Sequence, residues 1–167
     1  VSRTREPRNW MTMPMNDQPA LTLTIVIPAY NEVEHVATVV RAAKQANLGE
    51  VIVVDDGSDD DTSSAAKAAG ANVLRLPVNQ GKGGALCAAA QEADTDLLML
   101  LDADLIGLET HHLRALADPV LSGEVDMTRG VFTGGRWSTT AAQAMTPLLT
   151  GQRVLRRDQL LQMDLGD

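Results

Sequence analysis

Four short apolar runs, each ending in a polar cluster and separated by helix-patterned stretches, constrain this chain most. They are "LTLTIVIPAY", "EVIVVDDGS", "ANVLRLP" and "TDLLMLLDAD". Near-continuous Val, Ile and Leu without polar alternation is the pattern of strands buried on both faces. Between them, "NEVEHVATVVRAAKQAN" repeats Val33, Val36, Val40 and Ala43 at helical spacing, with Asn31 as the expected cap. "DDDTSSAAKAAG" opens acidic, as a helix N-terminus prefers, and closes on Gly70. "NQGKGGALCAAAQEA" is a glycine loop running into a third helix. The order β-α-β-α-β-α-β predicts an α/β fold with a parallel sheet, right-handed crossovers and helices on both faces. The first strand is expected over Leu21–Ile27, stopped by Pro28.

In such sheets ligands bind beyond the carboxyl ends of the strands. Every unusual polar cluster falls there: Pro28 to Glu32, Asp55 to Ser58, Asn79 to Gly84, and Asp102 to Asp104. Beyond Gly107 the pattern is weaker. A helix with Leu108, Leu113 and Leu116 inward is expected, then a strand in "GEVDMTRGVF", a turn at Gly134-Gly135, a helix in "WSTTAAQAM", a short strand, and a helix capped by Asp158.

The net charge of −8 argues against nucleic acid as a partner, since a phosphate backbone needs a basic face. Aromatics make up only 2%, so aliphatic side chains must build the core. The single cysteine, Cys87, cannot form an internal disulfide and is expected as a small buried hydrophobe. No apolar run approaches the ~18 residues of a membrane span. The cytoplasm is therefore the expected setting, with contact at the inner face of a membrane and homodimerisation left open. Residues 1–20 lack a periodic apolar face and are expected as a disordered leader, and residues 21–167 as one domain.

Asp102 and Asp104 pose a chemical question, because two neighbouring carboxylates repel each other and are costly to desolvate. A hard divalent cation, Mg²⁺ or Mn²⁺, offsets that, and such ions sit on one or two carboxylates plus substrate phosphates. "NQGKGGAL" offers backbone N–H groups at a helix N-terminus and one lysine, suited to phosphate. It is not a Walker A loop, for Pro77 stands where that motif needs glycine, and Gly83 replaces Ser or Thr. Asp55 and Asp56 can accept from a base N–H or from ribose hydroxyls, while Asp59 to Asp61 read as a solvated helix start.

"TIVIPAYNE", "VIVVDDGSDDDT", "NQGKGGAL" and "LLMLLDADL" together resemble the nucleotide-sugar half of the family 2 glycosyltransferases of GT-A (Rossmann-like) fold. The similarity is to the dolichyl-phosphate mannose synthase-like and glucosyl-3-phosphoglycerate synthase-like branches and covers roughly Leu21 to Gln159. It implies a hexosyltransferase using a nucleoside diphosphate sugar, of UDP-glucose or GDP-mannose type, and a small anionic or lipid-linked acceptor. It implies that Pro28, Ala29, Tyr30 and Glu32 contact the nucleotide, Asp56 the base, and Lys82 the nucleotide and its phosphates. The D-x-D motif would use Asp102 and Ala103 on the nucleotide sugar and Asp104 on the metal. "LLTGQRVLRR" resembles the segment near donor sugar and acceptor, nominating Gly151, Gln152 and Arg153; "GGRWS" nominates Arg136 and, more weakly, Ser138. Relatives continue with an acidic catalytic segment, so the chain is expected to be incomplete at its C-terminus and no catalytic base is assigned. His35, His111 and His112 are expected at the surface.

Two other classes stay open on the sequence. One is a nucleotide-sugar-binding pseudoenzyme or truncated module without turnover. The other is a nucleotidyltransferase, against which "PAYNE" offers neither glycine nor a basic residue. A dehalogenase-type phosphatase fits less well, because its D-x-D follows an N-terminal strand.

Overall fold

The computed structural model describes residues 20–130 and 151–162. Within them the chain runs β1 (Leu23–Ala29), α1 (Val36–Ala46), β2 (Glu50–Asp55), α2 (Thr62–Ala68), β3 (Asn72–Arg75), α3 (Gly81–Glu92), β4 (Leu97–Leu100), α4 (Thr110–Leu121), β5 (Thr128–Arg129), β6 (Arg153–Arg156) and α5 (Arg157–Gln162). The leader, the Gly134-Gly135 turn, the helix in "WSTTAAQAM", Arg136 and Ser138 fall outside the described residues.

The six strands form one sheet in the order β3-β2-β1-β4-β6-β5. β3, β2, β1 and β4 are parallel, as the sequence predicts. β6 runs antiparallel to β4, and β5 pairs antiparallel to β6. The sheet is therefore mostly parallel, with a reversed strand inserted beside β4. Alternate strand residues feed two cores. Ile25, Ile27, Val51, Val53, Leu97 and Met99 pack with α1, α2 and α4 on one face. Val26, Ile52, Val54, Leu98, Leu100 and Leu155 pack with α3 and α5 on the other. Two covered faces explain why these strands carry no polar alternation.

α1 forms because Val36, Val39, Val40 and Ala43 fall on one face and are fully buried there. It ends at Asn47, which adopts a left-handed φ of 50°. Asn31 is not its cap. Asn31 lies five residues ahead of α1 at φ 55°, and its side-chain oxygen accepts from the Asp59 N–H at 2.8 Å. No side-chain hydrogen bond caps α1; the Glu32 carbonyl closes a preceding turn by accepting from the N–H groups of His35 and Val36. At the last helix, Arg157 is the first residue and Asp158 sits in the first turn rather than at the cap. Cys87 is only partly buried on α3.

Pro28 does not stop β1. The strand continues to Ala29, which pairs with Asp55 of β2. The Ala29 carbonyl accepts from Asp56, and the Val26 carbonyl accepts from Leu101 on the opposite side. By alternation, Pro28 faces the β4 side, where β4 has already ended at Leu100 opposite Val26. Its missing N–H therefore costs no ladder bond. The early end of β4 also opens a gap between β1 and β4. In the order β3-β2-β1-β4, that is where the strand progression reverses, and where an open α/β sheet forms its ligand crevice.

Candidate functional site

A cleft of about 320 Å³ occupies this gap, lined by Pro28, Ala29, Tyr30, Glu32, Asp56, Lys82, Ala85, Asp102, Ala103 and Asp104. Four connections supply them: the exits of β1, β2 and β4, and the first turn of α3. All nine residues expected on the nucleotide, sugar and metal thus share one cavity. Ala85 was not foreseen. The signal was available, since Ala85 is three residues after Lys82 and falls on the same helix face.

The two aspartates ending β2 have separate tasks. Asp55 is completely buried and turned away from the cleft. Its carboxylate accepts from the Ser58 N–H at 2.8 Å, from the Ser63 hydroxyl, and from Arg75 at 2.7 Å. Burial opposes its ionisation, but the hydrogen bonds from Ser58 and Ser63 and the Arg75 charge outweigh it, so the carboxyl is held below the usual carboxylate range. It is a structural anchor, and the expectation that Asp55 serves a ligand is corrected. Asp56 faces the cleft, and one of its oxygens accepts from the Gln80 N–H at 2.8 Å, which fixes the glycine loop.

The β1 exit is tied to the β2 exit as well. Ser58 and Thr62 hydroxyls accept from the N–H groups of Asn31 and Glu32, at 2.9 and 2.8 Å. Asp60 accepts from Val33 at 3.2 Å and from Thr62 N–H at 2.9 Å. The Thr62 hydrogen bonds, from side chain and backbone, outweigh slight desolvation and keep its carboxyl below the usual range. Asp60 therefore joins two loops, which the reading of Asp59 to Asp61 as a solvated helix start did not anticipate.

Asp102 lies two residues beyond β4. One oxygen pairs with the Lys82 ammonium, and the other accepts from the Gln152 side-chain amide at 3.1 Å. The second carboxylate of the motif, Asp104, is exposed at the cleft wall. Both oxygens of Asp102 are already partnered, so Asp104 is the carboxylate left for a cation, with the remaining oxygens to come from a ligand. Among the described residues no three His, Cys, Asp or Glu side chains form a preformed metal cluster. That donor set suits a hard ion carried in with a diphosphate rather than a dedicated protein cage.

Gly151, Gln152 and Arg153 do not line the cleft. Gly151 takes a left-handed φ of 92°, and Gln152 reaches the site through Asp102. Arg153 is 5% exposed at the start of β6. Arg156 and Arg157 lie elsewhere: Arg156 pairs with Leu97 at the far end of β4, and Arg157 donates to the Ala90 carbonyl at 2.6 Å. The run "RVLRR" therefore does not form one basic cluster at the cleft. His111 and His112 are exposed, and His35, partly exposed, lies 3.3 Å from Glu32.

A mostly parallel α/β sheet with a D-x-D cleft at its switch point and a reversed strand beside it is the GT-A arrangement of fold. The chain belongs to glycosyl transferase family 2, whose family model matches residues 24–164. It is 34% identical over 127 residues to Glycosyltransferase AglD of Haloferax volcanii, covering 69% of this chain and 20% of that protein. It is 34% identical over 122 residues to glucosyl-3-phosphoglycerate synthase of Mycolicibacterium smegmatis, covering 66% of this chain and 40% of that protein. The chain thus spans well under half the length of these curated relatives. Its fold matches the crystal structure of glucosyl-3-phosphoglycerate synthase from Mycobacterium tuberculosis with phosphoglyceric acid, at a TM-score of 0.70 and 28% identity, over 83% of this chain and 57% of that one. A complex of that enzyme with Mn²⁺, UDP-glucose and phosphoglyceric acid matches with a TM-score of 0.68 at 28% identity, over the same shares of the two chains.

Proposed function

We propose that this domain transfers a hexose from a nucleoside diphosphate sugar to an anionic acceptor, with Mg²⁺ or Mn²⁺. The observation that carries the reading is the convergence of Asp56, Lys82, Asp102 and Asp104 on one cleft at the switch point of the sheet. UDP-glucose is the favoured donor, because the solved relatives were captured with UDP-glucose and phosphoglyceric acid. A lipid-linked acceptor is the alternative, and with it contact at the inner face of a membrane. The cytoplasm is the proposed setting.

In this reading Pro28, Ala29, Tyr30 and Glu32 bound the nucleoside pocket. Asp56 accepts from the base with the oxygen not used by Gln80. Asp102 accepts from ribose, and the Ala103 backbone leads the chain past the sugar to Asp104, which holds the cation. Lys82 turns from Asp102 toward the diphosphate and stabilises the negative charge that grows there as the anomeric bond breaks. The bound cation would supply further charge neutralisation on the same leaving group. Gly151, Gln152, Arg153 and Arg136 form the acceptor side.

Calorimetry tests this with UDP, GDP, UDP-glucose and GDP-mannose, each with and without Mn²⁺. UDP is expected to bind more tightly with the metal, by roughly tenfold or more. In Asp104→Ala the metal enhancement should vanish while metal-free affinity is largely kept. A wild-type protein that binds no nucleotide under either condition would overturn the reading, and an unchanged metal response in the variant would remove Asp104 from it.

A further inference from the structure

Asp102 is the hub of the cleft, and its two oxygens are held in unlike ways. One pairs with the Lys82 ammonium, and the other accepts from the Gln152 amide at 3.1 Å. Lys82 is a long cation on the first turn of α3, and its side chain is 35% exposed. It is free to swing toward an anion that enters the cleft. Gln152 is 4% exposed and stands immediately before β6. Its carbonyl accepts from the Gly130 N–H at 2.7 Å, and a Cβ at Gly130 would stand 3.4 Å from the Gln152 Cβ. Arg153, the next residue, pairs with Leu100 of β4, two residues ahead of Asp102. The main chain and the side-chain root of Gln152 are therefore fixed by the β4–β6–β5 ladder before any ligand arrives. One partner of Asp102 is exchangeable, and the other is built into the sheet.

The choice of an amide fits that division. A lysine or arginine at position 152 would make a standing ion pair with Asp102 and compete there with Lys82 and with a ligand. The glutamine amide donates a hydrogen bond and leaves the carboxylate its full charge. A side chain whose rotamer freedom is already lost on folding also costs nothing further when the ligand binds. Gln152 does not line the cleft, so its effect on a ligand passes through Asp102. By place in the chain it belongs with Gly151 and Arg153 on the acceptor side; by contact it serves the donor side.

We infer that Gln152 is a positioning residue of the donor site, whose amide keeps the Asp102 carboxylate aimed at the ribose hydroxyls once Lys82 has turned to the diphosphate. The inference rests on the glycosyl-transfer reading, which supplies the ribose and the diphosphate. In the free protein Lys82 and Gln152 share Asp102; in the complex Gln152 is the partner that stays.

The test is a double-mutant cycle on the whole chain, read by UDP calorimetry and by thermal unfolding. Mn²⁺ is present throughout, so that Asp104 and Lys82 still hold the diphosphate when Asp102 is removed. Gln152→Met is the informative variant, because it keeps the length and packing of the side chain and loses the donor. Its UDP affinity should fall about fivefold to tenfold, the loss expected for one hydrogen bond to a charged group. In the Asp102→Ala background the same substitution should change UDP affinity less than twofold, since the group it orients is gone. The gain in UDP affinity that Mn²⁺ gives should persist in Gln152→Met, because Asp104 is untouched. Equal UDP affinity in wild type and Gln152→Met would overturn the inference, and a lower unfolding temperature beside that equal affinity would mark Gln152 as purely structural. A loss as large without Asp102 as with it would overturn it too, by showing that Gln152 acts directly on the ligand or on the fold. Each of these results leaves the glycosyl-transfer reading standing. A wild-type protein that binds no UDP would instead remove that reading, and this inference with it.

Discussion

Asp55 and Asp56 are chemically identical neighbours, and only the direction of each side chain separates anchor from ligand candidate. Alternation along β2 sends them opposite ways: Asp55 to Ser58, Ser63 and Arg75, Asp56 to the cleft. Removing Asp55 strands three donors around a buried hole. Asp55→Ala is expected to cost about 3 kcal/mol of stability at pH 7, measurable by urea unfolding. The pH dependence has a definite sign. The folded-state pKa of Asp55 lies below its unfolded value of about 3.9, so its contribution is complete above roughly pH 5. It is lost as pH falls through the folded value. The stability gap between wild type and Asp55→Ala should therefore be constant from pH 7 to 5 and shrink below pH 4. A gap that widened on acidification would show that the Asp55 carboxylate is not favoured by folding. Sequence alone could not divide the pair, because "VVDDGS" fixes the strand but not the residue at which its alternation meets the turn.

Among elements, the most interdependent are the two loops that close the nucleoside side of the cleft. Gly57 sits at φ 77°, and a Cβ there would lie 2.9 Å from the backbone nitrogen of Asn79 and 3.0 Å from the carbonyl carbon of Val78. The exit of β2 and the approach to α3 touch backbone to backbone, and glycine is what permits it. Gly57→Ala should cost about 2–4 kcal/mol from the left-handed conformation and the clash together. It should also weaken nucleotide binding, because the loop shift pulls Gln80 off Asp56. Thermal unfolding and UDP calorimetry read the two effects, and unchanged nucleotide affinity in a destabilised variant would separate the loop from the site. The glycine loop was legible because glycine, lysine and a following alanine-rich helix have few uses in combination. The start of α1 was not. Asn31 is a good capping residue by type, but Asp59, far along the chain, claims its side-chain oxygen, and the helix begins five residues later. A contact between distant loops leaves no trace in local periodicity.

At the scale of the molecule, the parallel half of the sheet was readable and the antiparallel insertion was not. β1, β2 and β4 announce themselves as apolar runs because both their faces are covered. β6 is four residues, "RVLR", and the short strand expected there is present, but its length says nothing of its direction or neighbours. Nothing in its pattern says that it lies beside β4, with residues 101 to 152 between them in sequence. Yet that placement makes the end of the described chain part of the core. Val154, Leu155 and Leu160 are each at most 3% exposed, and Leu155 and Leu160 pack with Leu98 and Leu100 under α3. Each such side chain contributes roughly 1.5–3 kcal/mol by burial, so the three together supply about 5–9 kcal/mol. That is comparable to the whole net stability of an ordinary domain, about 5–15 kcal/mol. A chain ending at Thr150 should therefore lose cooperative unfolding near room temperature and expose β4 as an unpaired apolar edge, which invites aggregation. Loss of the sharp thermal transition together with dye binding to exposed apolar surface is the expected result. The same chain ending at Met163, which retains β6 and α5, should keep the transition. If the shorter chain unfolded as sharply and at the same temperature as the longer one, the four parallel strands would be a self-sufficient core. The sheet order would then be a consequence of the β1–β4 pairing alone, with β6 a late addition.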